Sequence, residues 1–453
     1  MAPRQPNDRL RLLLEQTGWT HEQFARRINR LGTETGRKLR YDGSSVCHWL
    51  NGVMPRSPVR RLILEVLSRR LNHPVTHAEA GFPPLPAHST PRSHARTVEE
   101  LAEFWRQDMD PSRRGVLGAA FFSVALAVPE WPEVVSRTTA LRQGAGQRIG
   151  MGEVATVTTM TRRISELDDE FGTYHARPMA VSFLANTVSL YLAAEATTQV
   201  REALLSATSG LCRLTGYMAV DETLHGLGQR YYGKALELAG AARDRLAYCG
   251  TLRMMSVQAV DLGHGPVARR LADAAAEAAP GADPRRRAFL SGQQAHAAAQ
   301  TGDRSAALRH LGEAERALDR AGNGDEAFAA YDPAALMYHV SQVRHHLGDR
   351  GGSAAAMQAT ERLRHVGYQR TTVRRRFMLA ERQLAAGLLE EACATWNHAL
   401  DDYPHVRSGR CDERFSTMRS LLRPHLRNRH ARQLHDRARS MAVHRTGPRP
   451  REL

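Results

Sequence analysis

The stretch AERQLAAGLLEEACATWNHALDDYP (residues 380–404) decides the fold, because its spacing returns in SVQAVDLGHGPVARRLADAAAEAAP (residues 256–280). Counted from the first small residue, Ala380 or Ser256, both stretches place marked residues at offsets 3, 7, 12, 16, 19 and 24. The first gives Gln383, Gly387, Ala392, Trp396, Ala399 and Pro404; the second gives Ala259, Gly263, Ala268, Ala272, Ala275 and Pro280. A third segment repeats most of the set with Ala295, Ala298, Gly302, Ala307, Leu311 and Ala314. A looser fourth, His339–Thr360, turns at Gly348. Two helices approach closely only where small side chains meet, and a tight turn between them favours a residue tolerant of positive φ. Alanines at offsets 12 and 19, two helical turns apart, give the second helix a flat face against the first. Each stretch therefore reads as a helical hairpin.

These offsets resemble the small–turn–small signature of the tetratricopeptide repeat. The turn glycines Gly263, Gly302, Gly348 and Gly387 lie 39, 46 and 39 residues apart, so the copies are longer than that family's usual period. The resemblance implies an α-solenoid of stacked hairpins over residues 97–426. Residues 150–250 show the pattern only weakly.

Upstream, residues 82–96 (FPPLPAHSTPRSHAR) carry four prolines and read as a linker. Before it, short amphipathic segments are broken by Gly and Asn. Asp8–Gln16 places Leu10, Leu13 and Leu14 on one helical face and stops at Thr17-Gly18. A second helix starts after Thr20, with Gln23 completing a capping box, and offers Phe24, Ala25 and Ile28 to a core. A third is expected from Ser44 or Ser45 to Asn51, closed by Gly52, with Val46, Trp49 and Leu50 on one face. Val59–Leu71 makes the fourth.

On the third helix Ser44, Ser45, His48 and Asn51 share the outer face, small or polar hydrogen-bonders with no acid among them. Such a face suits the major groove. The segments THEQFA (Thr20–Ala25) and SSVCHWLNG (Ser44–Gly52), followed by Pro55 and Pro58, resemble the phage-repressor (Xre-type) helix-turn-helix family. The resemblance implies that His21, at the second helix's start, grips phosphate and that Ser44, Ser45 and His48 read bases. It departs from the family in one place. The insert Gly32–Gly43, with Arg37, Lys38 and Arg40, stands where a tight turn belongs. Those cations fit a basic wing on the DNA backbone; a chance imitation of the motif is the other reading.

Charge supports a polyanion partner. The net charge is +16, yet residues 1–96 carry +9, residues 405–453 carry +9, and everything between nets −2. A near-neutral body with basic ends points to contacts at the ends, among them a basic tail over residues 427–453. The five scattered cysteines contain no CxxC pair, which fits a reducing cytoplasm and neither a disulfide frame nor a zinc ribbon. Ser112–Leu117 (SRRGVL) with the apolar run to Val128 resembles a twin-arginine signal, but lies deep in the chain and is about half the roughly 20 residues a span needs. A buried helix is expected there.

No P-loop, dinucleotide fingerprint or nucleophile elbow occurs, and His345-His346 and His425/His430/His435 lack zinc-protease spacing. No catalytic site, metal or cofactor is expected. Glu166, Asp168, Asp169 and Glu170 read as a solvated helix face. The paired modules resemble two groups: Gram-positive peptide-sensing regulators and actinobacterial regulators of development and antibiotic production. That implies a nucleoid-associated homodimer on double-stranded DNA, with a peptide, small molecule or protein as effector in its repeats. Asn, frequent on the concave face of the peptide sensors, is scarce (Asn186, Asn323, Asn397). Tyr331, Tyr338, Arg344 and Arg374 mark the region of the loosest copy. The alternatives are a repeat scaffold held near nucleic acid, or a plasmid or telomere maintenance protein.

Overall fold

The computed structural model describes residues 6–34, 39–71, 73–83, 94–109, 122–124, 131, 148–321, 331–363 and 369–445. Among them the chain is all-α, with one isolated bridge between Arg148 and Glu195 and no strand. No described helix is long and apolar enough to cross a membrane. The expected buried helix over 112–128 falls almost wholly outside the described residues. The chain packs as two units, Met1–Thr158 with Val181–Val220 and Leu224–Ala274, and Thr159–Ala180 with Asp221–Thr223 and Ala275–Leu453.

The first unit opens with four helices, α1 (Asp8–Thr17), α2 (His21–Glu34), α3 (Gly43–Leu50) and α4 (Ser57–Leu71). Their apolar faces close one core running from Leu10 to Phe82 and including Phe24, Ile28, Trp49, Ile63 and Leu67. Phe82 thus belongs to this bundle and not to the linker, and α5 (His94–Met109) takes the linker's last three residues into a helix. Asn7 fastens the ends. Its N–H donates to Leu50 O (2.8 Å) and its side-chain amide to Ala80 O (2.9 Å). Gly81 (φ 66°) lies so close that a Cβ would stand 2.3 Å from Asn7 Oδ1.

Three boundaries differ from the sequence reading. Helix α2 runs six residues past Ile28, because Leu31 continues its apolar face, so Gly32, Thr33 and Glu34 are helix and not insert. Helix α3 starts at Gly43 instead of Ser44 or Ser45, capped by Asp42, and Asn51 with Gly52 (φ 91°) closes it. Helix α4 starts at Ser57, Pro58 taking an early position where a missing N–H costs nothing.

The bundle does not stand alone in its unit. Glu65 of α4, 1 % exposed, accepts from Ser123 Oγ (2.8 Å) and Val124 N–H (3.1 Å) while pairing with Arg69 (2.8 Å). Gln229 exchanges two hydrogen bonds with the backbone of Ser123, and Phe122 stacks on His264 at 5.2 Å. Burial, with Arg69 nearby, pushes His264 down to about 4, so the ring is neutral against that stack.

The rest of this unit comprises the start of α6 (Met151–Phe171), the end of α7 (Thr173–Phe183), a π-helical turn Leu184–Val188, α8 (Ser189–Ala193) and α9 (Thr198–Asp221), then α10 (His225–Ala241), α11 (Arg245–Asp261) and most of α12 (Gly265–Glu277). The second unit holds α13 (Pro284–Gln300), α14 (Arg304–Asp319), α15 (Pro333–His346), α16 (Arg350–Arg362), α17 (Gln369–Ala385), α18 (Leu389–Asp402), α19 (Gly409–Leu422) and α20 (Arg429–Arg445).

The offsets become geometry in these hairpins. Gly263, Gly302, Gly348 and Gly387 all take φ between 78° and 86°. At each turn the N–H at offset 8 returns to the carbonyl at offset 3, as from His264 to Ala259 (2.8 Å) and Leu388 to Gln383 (2.9 Å). Offsets 0 and 12 face each other across the hairpin. Ser256 Oγ donates to Ala268 O and Ser341 Oγ to Ser353 O, both 2.8 Å, while the other copies put buried Ala295 and Ala307, or Ala380 and Ala392, there. The copy around Gly348 is thus in register: Ser341, Ser353, Met357 and Thr360 are its buried small-to-medium positions. The same turn also occurs after α9 and α10, where Thr223 (φ 63°) and Arg243 (φ 56°) take the glycine's place.

Asp168 does not belong to a solvated face: it is 1 % exposed, while Glu166 and Glu170 are exposed and Glu166 pairs with Arg162 and Arg163. The supposed tail is helical to Arg445, because Ala431, Leu434 and Ala438 form a buried stripe among its arginines. Part of the C-terminal positive charge is internally paired, Arg410 to Asp221 (3.0 Å), Arg414 to Glu381 (2.7 Å) and Arg437 to Asp401 (2.7 Å).

Candidate nucleic-acid interface

Helix α3 is short, and its ends are fixed by side chains. Asp42 accepts from the Ser45 backbone N–H (2.8 Å) and hydroxyl (2.7 Å), which hold its carboxyl below the usual range. Glu22 of α2 reaches over to accept from the Gly43 N–H at 2.8 Å. Two carboxylates therefore occupy the positive end of α3, and a phosphate bound there would have to displace them. On its inner side Val46, Trp49 and Leu50 are buried, and Tyr41 meets Trp49 edge-on at 5.1 Å.

The approach to α3 is clamped as well. Asn29 of α2 donates to Tyr41 O (2.7 Å) and accepts from Tyr41 N–H (2.8 Å). Replacing Asn29 with Ala should remove both bonds and cost the bundle about 2 kcal/mol in urea unfolding, against less than about 0.5 kcal/mol for Ser44→Ala on the open face. Equal costs would show that the clamp does not position α3.

The outward residues divide. Ser44 and His48 are exposed on α3 and Asn51 at its C-cap, with Cys47 among them, and Asn51 Nδ2 sits 3.5 Å from Cys47 Sγ. Ser45 is half-buried and its hydroxyl serves the cap. His21 is exposed at the start of α2, where Thr20 and Gln23 exchange the expected capping bonds at 3.1 and 3.2 Å. Arg40 is exposed just before α3, whereas Arg37 and Lys38 lie outside the described residues. Two cations that the sequence reading passed over, Arg26 and Arg30, stand exposed one turn apart on α2. Their i, i+4 spacing opposite Phe24, Ala25 and Ile28 was the available signal. Arg27 is occupied differently, lying over Trp19 at 4.3 Å with Arg70 over the same ring at 5.5 Å.

The second unit carries a polar cluster on α13, α15 and α17, with Tyr331 just before α15. Tyr331 Oη lies 3.0 Å from His339 Nδ1, and a Cβ at Gly292 would meet that hydroxyl at 2.4 Å. Gln342 donates to Tyr338 Oη (2.9 Å) and accepts from Arg382 (2.8 Å), and His296 stands 5.4 Å from His346, ring to ring. Burial, then Arg382, pushes His345 down to about 4. Of the four residues marked beforehand, Tyr331 and Tyr338 join this cluster. Arg344 instead is exposed beside the Gly348 turn with Asp349 at 3.8 Å, and Arg374 is half-buried on α17.

Residues 10–83 match the model of a family described as the SP15 N-terminal domain. That span coincides with the bundle core from Leu10 to Phe82. A search of the curated proteins finds no match for the chain.

Proposed function

We propose that the chain is a sequence-specific DNA-binding regulator of transcription, working in the cytoplasm on the nucleoid. In this reading α2 and α3 form an Xre-type helix-turn-helix. The observation that carries it is a short helix, capped at its start and seated on its inner face, that leaves Ser44, His48 and the C-cap Asn51 exposed, with Arg26 and Arg30 exposed on α2 and Arg40 exposed just before α3. Polar side chains on a fixed helix read base edges, and arginines around it hold phosphates. The hairpins are read as a tetratricopeptide-like solenoid that dimerises the chain, since one small module reads few base pairs and two half-sites are needed for useful specificity. The cluster around Tyr338, Gln342 and Arg382 is the proposed place for a regulatory peptide, small molecule or protein. No enzymatic step is assigned.

The roles make opposite predictions for neighbouring residues. His48→Ala should lose about 1–3 kcal/mol of discrimination between an operator and random duplex, while Arg40→Ala weakens both alike. Competition binding at fixed salt measures this. Equal losses on the two duplexes for His48→Ala would remove it from base reading.

A further inference from the structure

The C-terminal cations sort into two groups. Arg410, Arg414 and Arg437 are paired with acids inside the second unit. Between Glu413 and Asp436 the sequence has six arginines, three histidines and no acid. The fold bends this run into a knuckle at the turn from α19 to α20, through a 3-10 turn Arg423–His425. Arg423, Arg427, Arg429, His430 and Arg432 are exposed there. Arg432 braces the turn through Leu426 O (3.1 Å) and Arg427 O (3.4 Å), and Asn428 Oδ1 accepts from His430 N–H (2.8 Å) to cap α20. The turn is thereby braced, and among the described residues no acid pairs with Arg423, Arg427 or Arg429.

We infer that this knuckle is a second nucleic-acid contact, one that grips the phosphodiester backbone of duplex DNA without reading sequence. The inference rests on the DNA-binding reading above but uses a surface that reading leaves idle. Guanidinium groups on a preorganised turn match phosphate oxygens. A lipid surface fits poorly, since Leu421 is the one large apolar side chain exposed among described residues 415–442. An acidic protein is the remaining competitor, and the test below includes it.

Full-length Arg423→Gln/Arg427→Gln/Arg429→Gln, which keeps the bracing Arg432, is compared with wild type by anisotropy on random-sequence duplex across a salt series. The control is Arg309→Gln/Arg316→Gln/Arg320→Gln on α14 and its C-cap, where Glu313, Glu315 and Asp319 are interspersed. Circular dichroism checks that both variants fold. Each phosphate contact contributes roughly 0.9 to the slope of log affinity against log salt, so the knuckle variant should lose about 2–3 in slope and the control under about 1. A knuckle variant with wild-type slope, in a protein that still binds DNA, overturns this inference alone. Equal losses in knuckle variant and control reduce it to bulk charge and also overturn it. Wild type binding poly-glutamate more tightly than duplex assigns the knuckle to an acidic protein and overturns it too. A wild type with no affinity for duplex overturns both this and the function it rests on.

Discussion

Arg370→Ala should lower the stability of the second unit by about 3–5 kcal/mol at pH 8, the usual cost of removing one partner from a buried ion pair. Arg370, itself buried, reaches Asp168 at 2.7 Å, Asp169 at 3.3 Å and Asp221 at 3.3 Å. These acids come from α6 and the end of α9, so a single guanidinium joins three distant stretches of chain. Arg410 and Thr173 also reach Asp221, at 3.0 and 2.8 Å, and they remain in the variant. Asp168 would be left charged without its cation.

The pH dependence follows from the two carboxyls. Burial raises Asp168 to about 6 even with Arg370 beside it, so the folded state holds its proton more tightly than the unfolded chain. Its contribution is full below the ordinary value near 4 and is lost as pH rises through about 6. Burial opposes the charge of Asp221 too, but Arg410 and Arg370 override it and hold it at about 2; its contribution is lost only as pH falls from about 4 toward 2. Removing Arg370 raises Asp168 further. The defect should therefore be larger at pH 8 than at pH 5, measured by denaturant unfolding at both. A loss under about 1 kcal/mol at pH 8, or one that grows toward pH 5, would refute this account of the cluster.

Trp49→Ala should cost the N-terminal bundle a similar amount, about 3–5 kcal/mol, by the transfer and cavity terms of a truncated core aromatic. Trp49 is 6 % exposed, and it is the residue through which α3 and Tyr41 share a core. Its loss also frees the segment that Asn29 clamps, so the exposed face of α3 would lose its fixed orientation. Cys47→Ala, two residues away on the open face, should change stability by less than about 0.5 kcal/mol. Near-equal stabilities of the two variants would show that α3 is not seated by its inner face.

Much of this fold is legible in the sequence where a rule is local. The Thr20–Gln23 box, the glycine turns and the small residues at offsets 0 and 12 each depend on neighbours in one hairpin. What escapes depends on distant partners. Nothing local distinguishes Asp168 from Glu166, because burial of Asp168 is decided by Arg370, some two hundred residues away. Thr223 and Arg243 take a left-handed turn that favours glycine, so a glycine count finds four turns and misses two. The arginines after residue 405 look alike in sequence, and only the fold separates those paired inside from those on the α19–α20 turn. At the candidate interface, Ser44 and His48 read directly as outward residues. Ser45 reads the same way, although the cap at Asp42 engages it, since that cap requires knowing where α3 begins.

Central to the proposed function is that α3 recognises one DNA sequence, and base-resolution footprinting of the full-length chain on genomic fragments tests this most directly. The account predicts protection of a defined operator in two half-sites about one helical turn, or a multiple of it, apart, lost in His48→Ala at concentrations where Arg40→Ala retains a weakened footprint. Protection confined to replicon or chromosome ends would instead support a maintenance role, and no protection at low salt, with the protein folded, would contradict DNA recognition altogether.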